Sequence, residues 1–68
     1  MGFVVIRDGK RIERRLEGSR TLAEILTDGE YERVEGGSLI ALTDSGGLMS
    51  LDSPLTEGQT VILRPLQP

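Results

Sequence analysis

The stretch Thr21-Leu22-Ala23-Glu24-Ile25-Leu26-Thr27-Asp28-Gly29 decides the fold. Thr21 followed three residues later by Glu24 has the spacing of a capping box. In that arrangement the threonine oxygen accepts the Glu24 amide and the glutamate reaches back to the Thr21 amide. Leu22, Ile25 and Leu26 fall at i, i+3 and i+4 and make one apolar stripe. Gly29 stands where a left-handed C-terminal cap would be. The spacing predicts a helix over 21–29. A helix of about two turns is unstable alone in water, because nucleation is costly and few hydrogen bonds follow it. Its stripe therefore needs a partner, and the strongest signals elsewhere in the chain are those of strands.

On the N-terminal side, Phe3-Val4-Val5-Ile6 is a β-branched and aromatic run followed by Arg7-Asp8-Gly9-Lys10. Asp-Gly between two strand-like runs is a strong hairpin signal, since a type I′ turn needs positive φ at both central residues. The second run, Arg11 to Glu17, puts Ile12 and Leu16 on one face and Arg11, Glu13 and Arg15 on the other. Arg14 shares the parity of Ile12, so its stem lies over the sheet edge or marks where that face meets solvent. Residues 3–17 read as an antiparallel hairpin, and Gly18-Ser19-Arg20 as the crossover into the helix.

On the C-terminal side, residues 30–37 read as polar and irregular. Tyr31 and Val34 close the bottom of the core there, and a second helical turn has only their spacing behind it. Ser38-Leu39-Ile40-Ala41-Leu42-Thr43 is a third strand. Its four consecutive apolar residues leave the alternation phase open. Asp44-Ser45-Gly46-Gly47 is a turn, Leu48-Met49-Ser50-Leu51 a short edge strand, and Leu55 an anchor between turns at Pro54 and Glu57-Gly58. Thr60-Val61-Ile62-Leu63-Arg64 is the last strand, ended by Pro65, which lacks an N–H for ladder pairing. The fold class is α+β, a mixed 4–5-stranded sheet packed on one helix in the order ββαβ(β)β. The last strand then runs parallel beside the first, in the middle of the sheet. The expected core is Val5, Ile12, Leu16, Leu22, Ile25, Leu26, Leu39, Leu51, Leu55, Val61 and Leu63.

The composition removes several functional classes. The 68 residues include no cysteine, histidine or tryptophan, and Phe3 and Tyr31 are the only aromatics. Without histidine the chain lacks the commonest general base, metal ligand and near-neutral proton switch. Without cysteine it has neither disulfides nor thiolate metal sites. Eight basic against 11 acidic residues give a formal net charge of −3. That balance, with the shortage of stacking aromatics, disfavours nucleic acid as a partner. No apolar run approaches the ~20 residues of a membrane span. The start, Met1-Gly2-Phe3-Val4-Val5-Ile6, reads as an ordinary cytoplasmic one that goes straight into a strand, with Ile6 where a myristoylation signal wants Ser or Thr. No cofactor and no metal are expected.

Gly9-Lys10-Arg11-Ile12 through Leu16-Glu17, then Ser19-Arg20-Thr21-Leu22, is similar to the hairpin, second strand and helix start of ubiquitin. Leu39-Ile40 resembles the Leu-Ile pair of its third strand. Pro54-Leu55-x-x-Gly58-x-x-Val61 resembles the stretch before the last strand in sulfur carriers and TGS domains. The chain thus resembles the ubiquitin-like β-grasp superfamily, which includes ubiquitin-like modifiers and the sulfur carriers of thiamine and molybdopterin synthesis. The resemblance implies a β-grasp domain over 1–64 with a tail over 65–68. It implies a protein modifier or carrier in a conjugation or sulfur-transfer system, monomeric when free and recognised by activating and conjugating enzymes. In that family a di-glycine end is adenylated and then thioesterified or thiocarboxylated. The segment Arg64-Pro65-Leu66-Gln67-Pro68 departs from this pattern, having no Gly-Gly, and Gly46-Gly47 reads as a turn. The alternatives are a non-conjugating adaptor that binds another protein by its sheet face or a sheet edge and, with less behind it, a TGS-like RNA-associated regulatory domain.

Candidate site residues follow. The resemblance puts Ile40 outward, and parity puts Ile62 outward with it. Together with Leu42 and Arg64 they form the expected partner-binding set. The tail Pro65, Leu66, Gln67 and Pro68 is the second expected site. Lys10, Arg11, Arg14 and Arg15 are candidates for electrostatic docking of an acidic partner. The plainer reading makes them a solvated hairpin face with Glu13 and Glu17 as cross-strand mates. Asp44, Asp52 and Glu57 read as solvated loop carboxylates, since nothing near them in sequence supports acid–base work. The serines lack a histidine to activate them. The chain is not expected to be an enzyme.

Overall fold

The computed structural model describes residues 2–66. They form a mixed five-stranded sheet with two short helices on one face, an α+β fold. The strands are β1 (Gly2–Arg7), β2 (Lys10–Arg15), β3 (Leu39–Thr43), β4 (Leu48–Met49) and β5 (Thr60–Pro65). The helices α1 (Leu22–Ile25) and α2 (Asp28–Gly36) lie in the crossover between β2 and β3. Sheet order is β2-β1-β5-β3-β4. As expected from the order of hairpin, helix and last strand, β5 runs parallel to β1 in the centre, with Val5 opposite Val61 and Ile6 opposite Ile62. The other pairs are antiparallel.

The hairpin turns as its Asp-Gly demands, with Asp8 at φ 53° and Gly9 at φ 77°. Strand β2 stops at Arg15, short of the expected Glu17, although Leu16 still packs against the core. Pro65, expected to open the tail, is the last residue of β5, opposite Leu39. Its missing N–H is tolerated because it sits at the strand's end.

The helical crossover differs most from expectation. One helix over 21–29 was predicted, but α1 ends at Ile25, and Leu26 is extended at φ −84°, ψ 148°. The Thr21–Glu24 box is in place, with the Glu24 carboxylate accepting the Thr21 amide at 3.2 Å. The first amides of α1 are met from outside the helix. Leu22 N–H donates to the Ser53 carbonyl and Ala23 N–H to the Leu51 carbonyl, both at 3.0 Å. A helix this short persists because a loop caps it and because Leu22 is wholly buried.

The longer helix α2 covers the region read as irregular. It starts on a second box, Thr27-x-x-Glu30. Glu30 N–H donates to the Thr27 hydroxyl at 3.2 Å, and Thr27 N–H to the Glu30 carboxylate at 3.0 Å. Gly29 is therefore the second residue of α2, inside its first turn, and the left-handed cap is Gly37 at φ 83°. Two boxes six residues apart cannot share one straight helix, because the Thr27 cap needs extended backbone where the first helix would continue. Arg7 of β1 ties α2 to the sheet by donating through Nε and Nη2 to Glu30, the latter at 3.0 Å.

The core lies between this helical layer and the sheet. It comprises Phe3, Val5, Leu22, Leu39, Ala41, Met49, Leu55, Val61 and Leu63. Leu16, Ile25, Leu26 and Val34 pack against it while partly buried. Phe3, Ala41 and Met49 were not anticipated, and Ile12 and Leu51 are only half-buried. Ile12 stands on the edge strand β2, where no helix reaches over it.

Two predictions test this architecture. Gly29→Ala raises stability by about 0.5–1 kcal/mol, the helical cost of glycine, whereas Gly37→Ala lowers it because φ is positive there. Thermal melts of the two variants check the opposite signs. Burial raises the Glu30 pKa, but hydrogen bonds from Arg7 and the Thr27 amide and the Arg7 charge outweigh it, leaving the pKa below its ordinary 4.5. A carboxylate depressed on folding stabilises above its unfolded pKa, and that contribution is lost as pH falls through the folded value. Glu30→Ala therefore costs roughly 1–2 kcal/mol at neutral pH, from the lost cap and ion pair, and progressively less below pH ~4. Urea denaturation across pH reads the difference.

Candidate functional site

Residues directly opposite in a ladder point to the same side of the sheet, so the register assigns every side chain to a face. Burial of Leu39 and Ala41 sets the phase that the sequence left open. Ile40 and Leu42 then point away from the helices. Across the sheet, Arg11, Ile6, Ile62, Leu42 and Leu48 stand side by side on β2, β1, β5, β3 and β4. This row crosses all five strands on the face that carries no helix. Ile40 beside Arg64 extends it on one side, and Val4 beside Thr60 on the other.

Ile6, Ile40, Leu42 and Ile62 are each half-buried by their neighbours, and Leu48 is 75 % exposed. Apolar side chains at the centre of this face meet water directly. Arg11 and Arg64, both exposed, mark its charged rim.

The expected set Ile40, Leu42, Ile62 and Arg64 is thus brought together on one face. Ile6, Val4 and Leu48 were missed. The signal for the first two was available, since Val5 in the core forces Val4 and Ile6 outward once β1 lies beside β5. Leu48 gave no such signal, because a two-residue strand has no period to read. A shallow apolar hollow of about 370 Å³ adjoins the row, between the end of α2 and β3–β4, with Leu48, Met49 and Val34 among its walls.

Of the expected tail, Pro65 belongs to β5, and Leu66 donates its N–H to the Ser38 carbonyl at 2.8 Å while its side chain is exposed. Gln67 and Pro68 lie outside the described residues. The basic set does not form one patch. Lys10 and Arg14 share the helix side of β2 with Ile12, while Arg11 and Arg15 lie on the open side. Glu13 comes within 3.8 Å of Arg11, but its cross-strand neighbour is Val4, and Glu17 lies beyond the strand. Lys10, Arg14 and Arg15 have no ion-pair partner among the described residues.

The described residues contain no group of three or more acidic side chains placed to hold a metal ion. No helix among them is long and apolar enough to cross a membrane. This face presents apolar area at its centre and guanidinium groups at its rim, with main-chain groups along the sheet edges. Comparison with protein-family models, with curated proteins and with solved structures found no match to this chain.

Proposed function

We propose that this chain is a ubiquitin-like β-grasp domain that serves as a protein modifier or protein carrier. In this reading an activating enzyme recognises the open sheet face and receives the segment that follows β5. The apolar row Ile6, Ile62, Leu42 and Leu48 on the uncovered face carries the reading. A contiguous apolar surface with a charged rim fits a protein partner better than it fits solvent. The strand order, with β5 parallel to β1 and a helical crossover on one face, supports the β-grasp assignment.

Size separates a transient surface from an obligate one. Five strands ~4.8 Å apart make a row about 19 Å wide. With its neighbours above and below, the face covers on the order of 300 Å², well under the ~800 Å² per partner of a standard stable interface. Such a face suits repeated docking and release by a protein that is monomeric between encounters.

A second reading, the non-conjugating adaptor, has its own observation. Pro65 sits in the ladder and the Leu66 amide is tied to Ser38, so the chain stays bound to the sheet to that point. An adaptor uses the same face without needing a free end.

One experiment separates the two. The tagged full-length protein is recovered from its natural host under denaturing conditions, and its C-terminal peptide is analysed by mass spectrometry. An isopeptide bond to lysine or a thiocarboxylate supports the modifier or carrier. An unmodified end together with a native complex that Ile62→Thr or Leu42→Ser disrupts supports the adaptor. An unmodified end and a complex indifferent to both substitutions contradicts both readings. Ile62→Thr is expected to shift stability by about 1 kcal/mol or less, the span of strand propensity, whereas Leu22→Ala costs about 2–5 kcal/mol. Chemical denaturation of the two variants checks that contrast.

A further inference from the structure

One backbone donor at the end of the sheet stands between two acceptors. Leu39 is paired with Pro65, and the same register carries on to Ser38 opposite Leu66. The Leu66 N–H donates to the Ser38 carbonyl at 2.8 Å. In an antiparallel ladder every second pair exchanges two hydrogen bonds, so Ser38–Leu66 belongs to the bonded set with Ile40–Arg64 and Leu42–Ile62. Pro65 falls in a pair that exchanges none, so its missing N–H removes no bond to β3. The second bond of the Ser38–Leu66 pair would run from the Ser38 N–H to the Leu66 carbonyl. That donor is used elsewhere: it bonds at 2.9 Å to the Arg33 carbonyl of α2.

This bond is half of the closure of the helix. The Gly37 N–H donates to the Val34 carbonyl at 3.2 Å. With Ser38 on Arg33, and Gly37 left-handed at φ 83°, it completes a Schellman motif. An apolar contact between the two outer residues frequently accompanies such a motif, but here they are Arg33 and Ser38, both exposed. The helix behind the motif is weakly held, since α2 buries no residue and includes Gly29 and Gly36. A side chain starting at Gly37 would meet nothing within 4 Å, so the backbone angle alone calls for glycine there. Glycine adopts left-handed and extended backbone about equally readily.

We propose that the Ser38 N–H is a two-position switch coupling α2 to the segment that leaves β5. In the capped position it closes α2, and Leu66 is held to the sheet by one bond. In the paired position Gly37 is extended, the last turn of α2 unwinds, and Ser38 and Leu66 exchange two bonds. One donor cannot serve both carbonyls, so each element weakens the hold of the other, and the coupling is reciprocal. Ser38 and Leu66 are both exposed, so burial favours neither position and the balance rests on single hydrogen bonds. For the function proposed above the consequence is regulation. A partner that orders α2 loosens the segment after Arg64, and one that unwinds the helix retracts it. That consequence rests on the modifier or carrier reading, whereas the switch itself does not.

The test uses the full chain labelled with ¹⁵N and ¹³C. Scalar couplings across hydrogen bonds identify the carbonyl that accepts the Ser38 N–H, and amide exchange reads how firmly each element is held. In the unaltered chain the coupling runs to Arg33. Gly37→Val puts a β-branched residue where left-handed backbone is needed. It is expected to move the coupling to Leu66 and to slow exchange of the Leu66 amide about threefold to tenfold, the net contribution of one hydrogen bond. Leu66→Pro removes the Leu66 N–H and frees the end of β5. It is expected to slow exchange of the Gly37 amide, which the paired position exposes, by a similar factor.

The proposal is overturned if the Ser38 coupling in Gly37→Val stays on Arg33 or reaches no carbonyl, or if the Leu66 amide exchanges at an unchanged or faster rate. An unchanged or faster Gly37 amide in Leu66→Pro overturns it too. Should Gly37→Val fail to fold, Leu66→Pro decides alone, because it alters an exposed residue beyond β5. Failure of the switch appears in these couplings and rates, and failure of the modifier reading in the mass of the C-terminal peptide, so the two are told apart.

Discussion

The parallel pairing of β1 with β5 is the constraint on which the rest of the structure depends. Two parallel neighbours cannot be joined by a turn, so everything between them must leave the sheet and return. Residues 8–59 do so by adding β2 to the outside of β1, crossing with both helices on one face, and laying β3 and β4 on the far side of β5. Val61, opposite Val5 in that central pair and wholly buried, is the residue around which the two halves close. With so few residues in the crossover, the helices cover one face only. The bare opposite face follows from the topology, which places both helices in a single crossover.

The helical layer is held by contacts from outside itself. The short α1 is capped by carbonyls of the 51–53 loop and anchored by Leu22, while Leu55 N–H returns a hydrogen bond to the Arg20 carbonyl at 2.8 Å. The longer α2 has no buried residue of its own and rests on half-buried Val34 and on the Arg7–Glu30 pair. Glu30 serves twice, closing the cap of its helix and binding a guanidinium from the sheet. Its carboxylate must be ionised for the ion pair, which couples the position of α2 to acid pH.

Much of this was legible in the sequence where a local rule had a single answer. Asp8-Gly9 could be little other than a tight turn, and the alternation of Val61, Ile62 and Leu63 sorts itself once one face is buried. The central strand Leu39-Ile40-Ala41-Leu42 gave no phase, because a strand between two neighbours can carry apolar residues on both faces. The helix was misread at Gly29. Its C-cap reading competed with the Thr27–Glu30 box, and the box prevails because it satisfies two otherwise unpaired amides at the start of a nine-residue helix. Of the candidate site, Ile40, Leu42, Ile62 and Arg64 were found through parity and resemblance. The wider row needed the pairing of β1 with β5 and of β3 with β4, which are facts about distant residues. The basic stretch was visible as composition, but its division over two sides of an edge follows only from the register.

Solvent paramagnetic relaxation of side-chain methyl groups tests the central claim, that the helices cover one face and leave the other open to solvent. A soluble paramagnetic probe is predicted to broaden the methyl signals of Ile6, Ile40, Leu42, Leu48 and Ile62 strongly, and to spare those of Leu22, Val61 and Leu63. Equal protection of the two sets would mean that the second face is covered in solution, and would contradict the account.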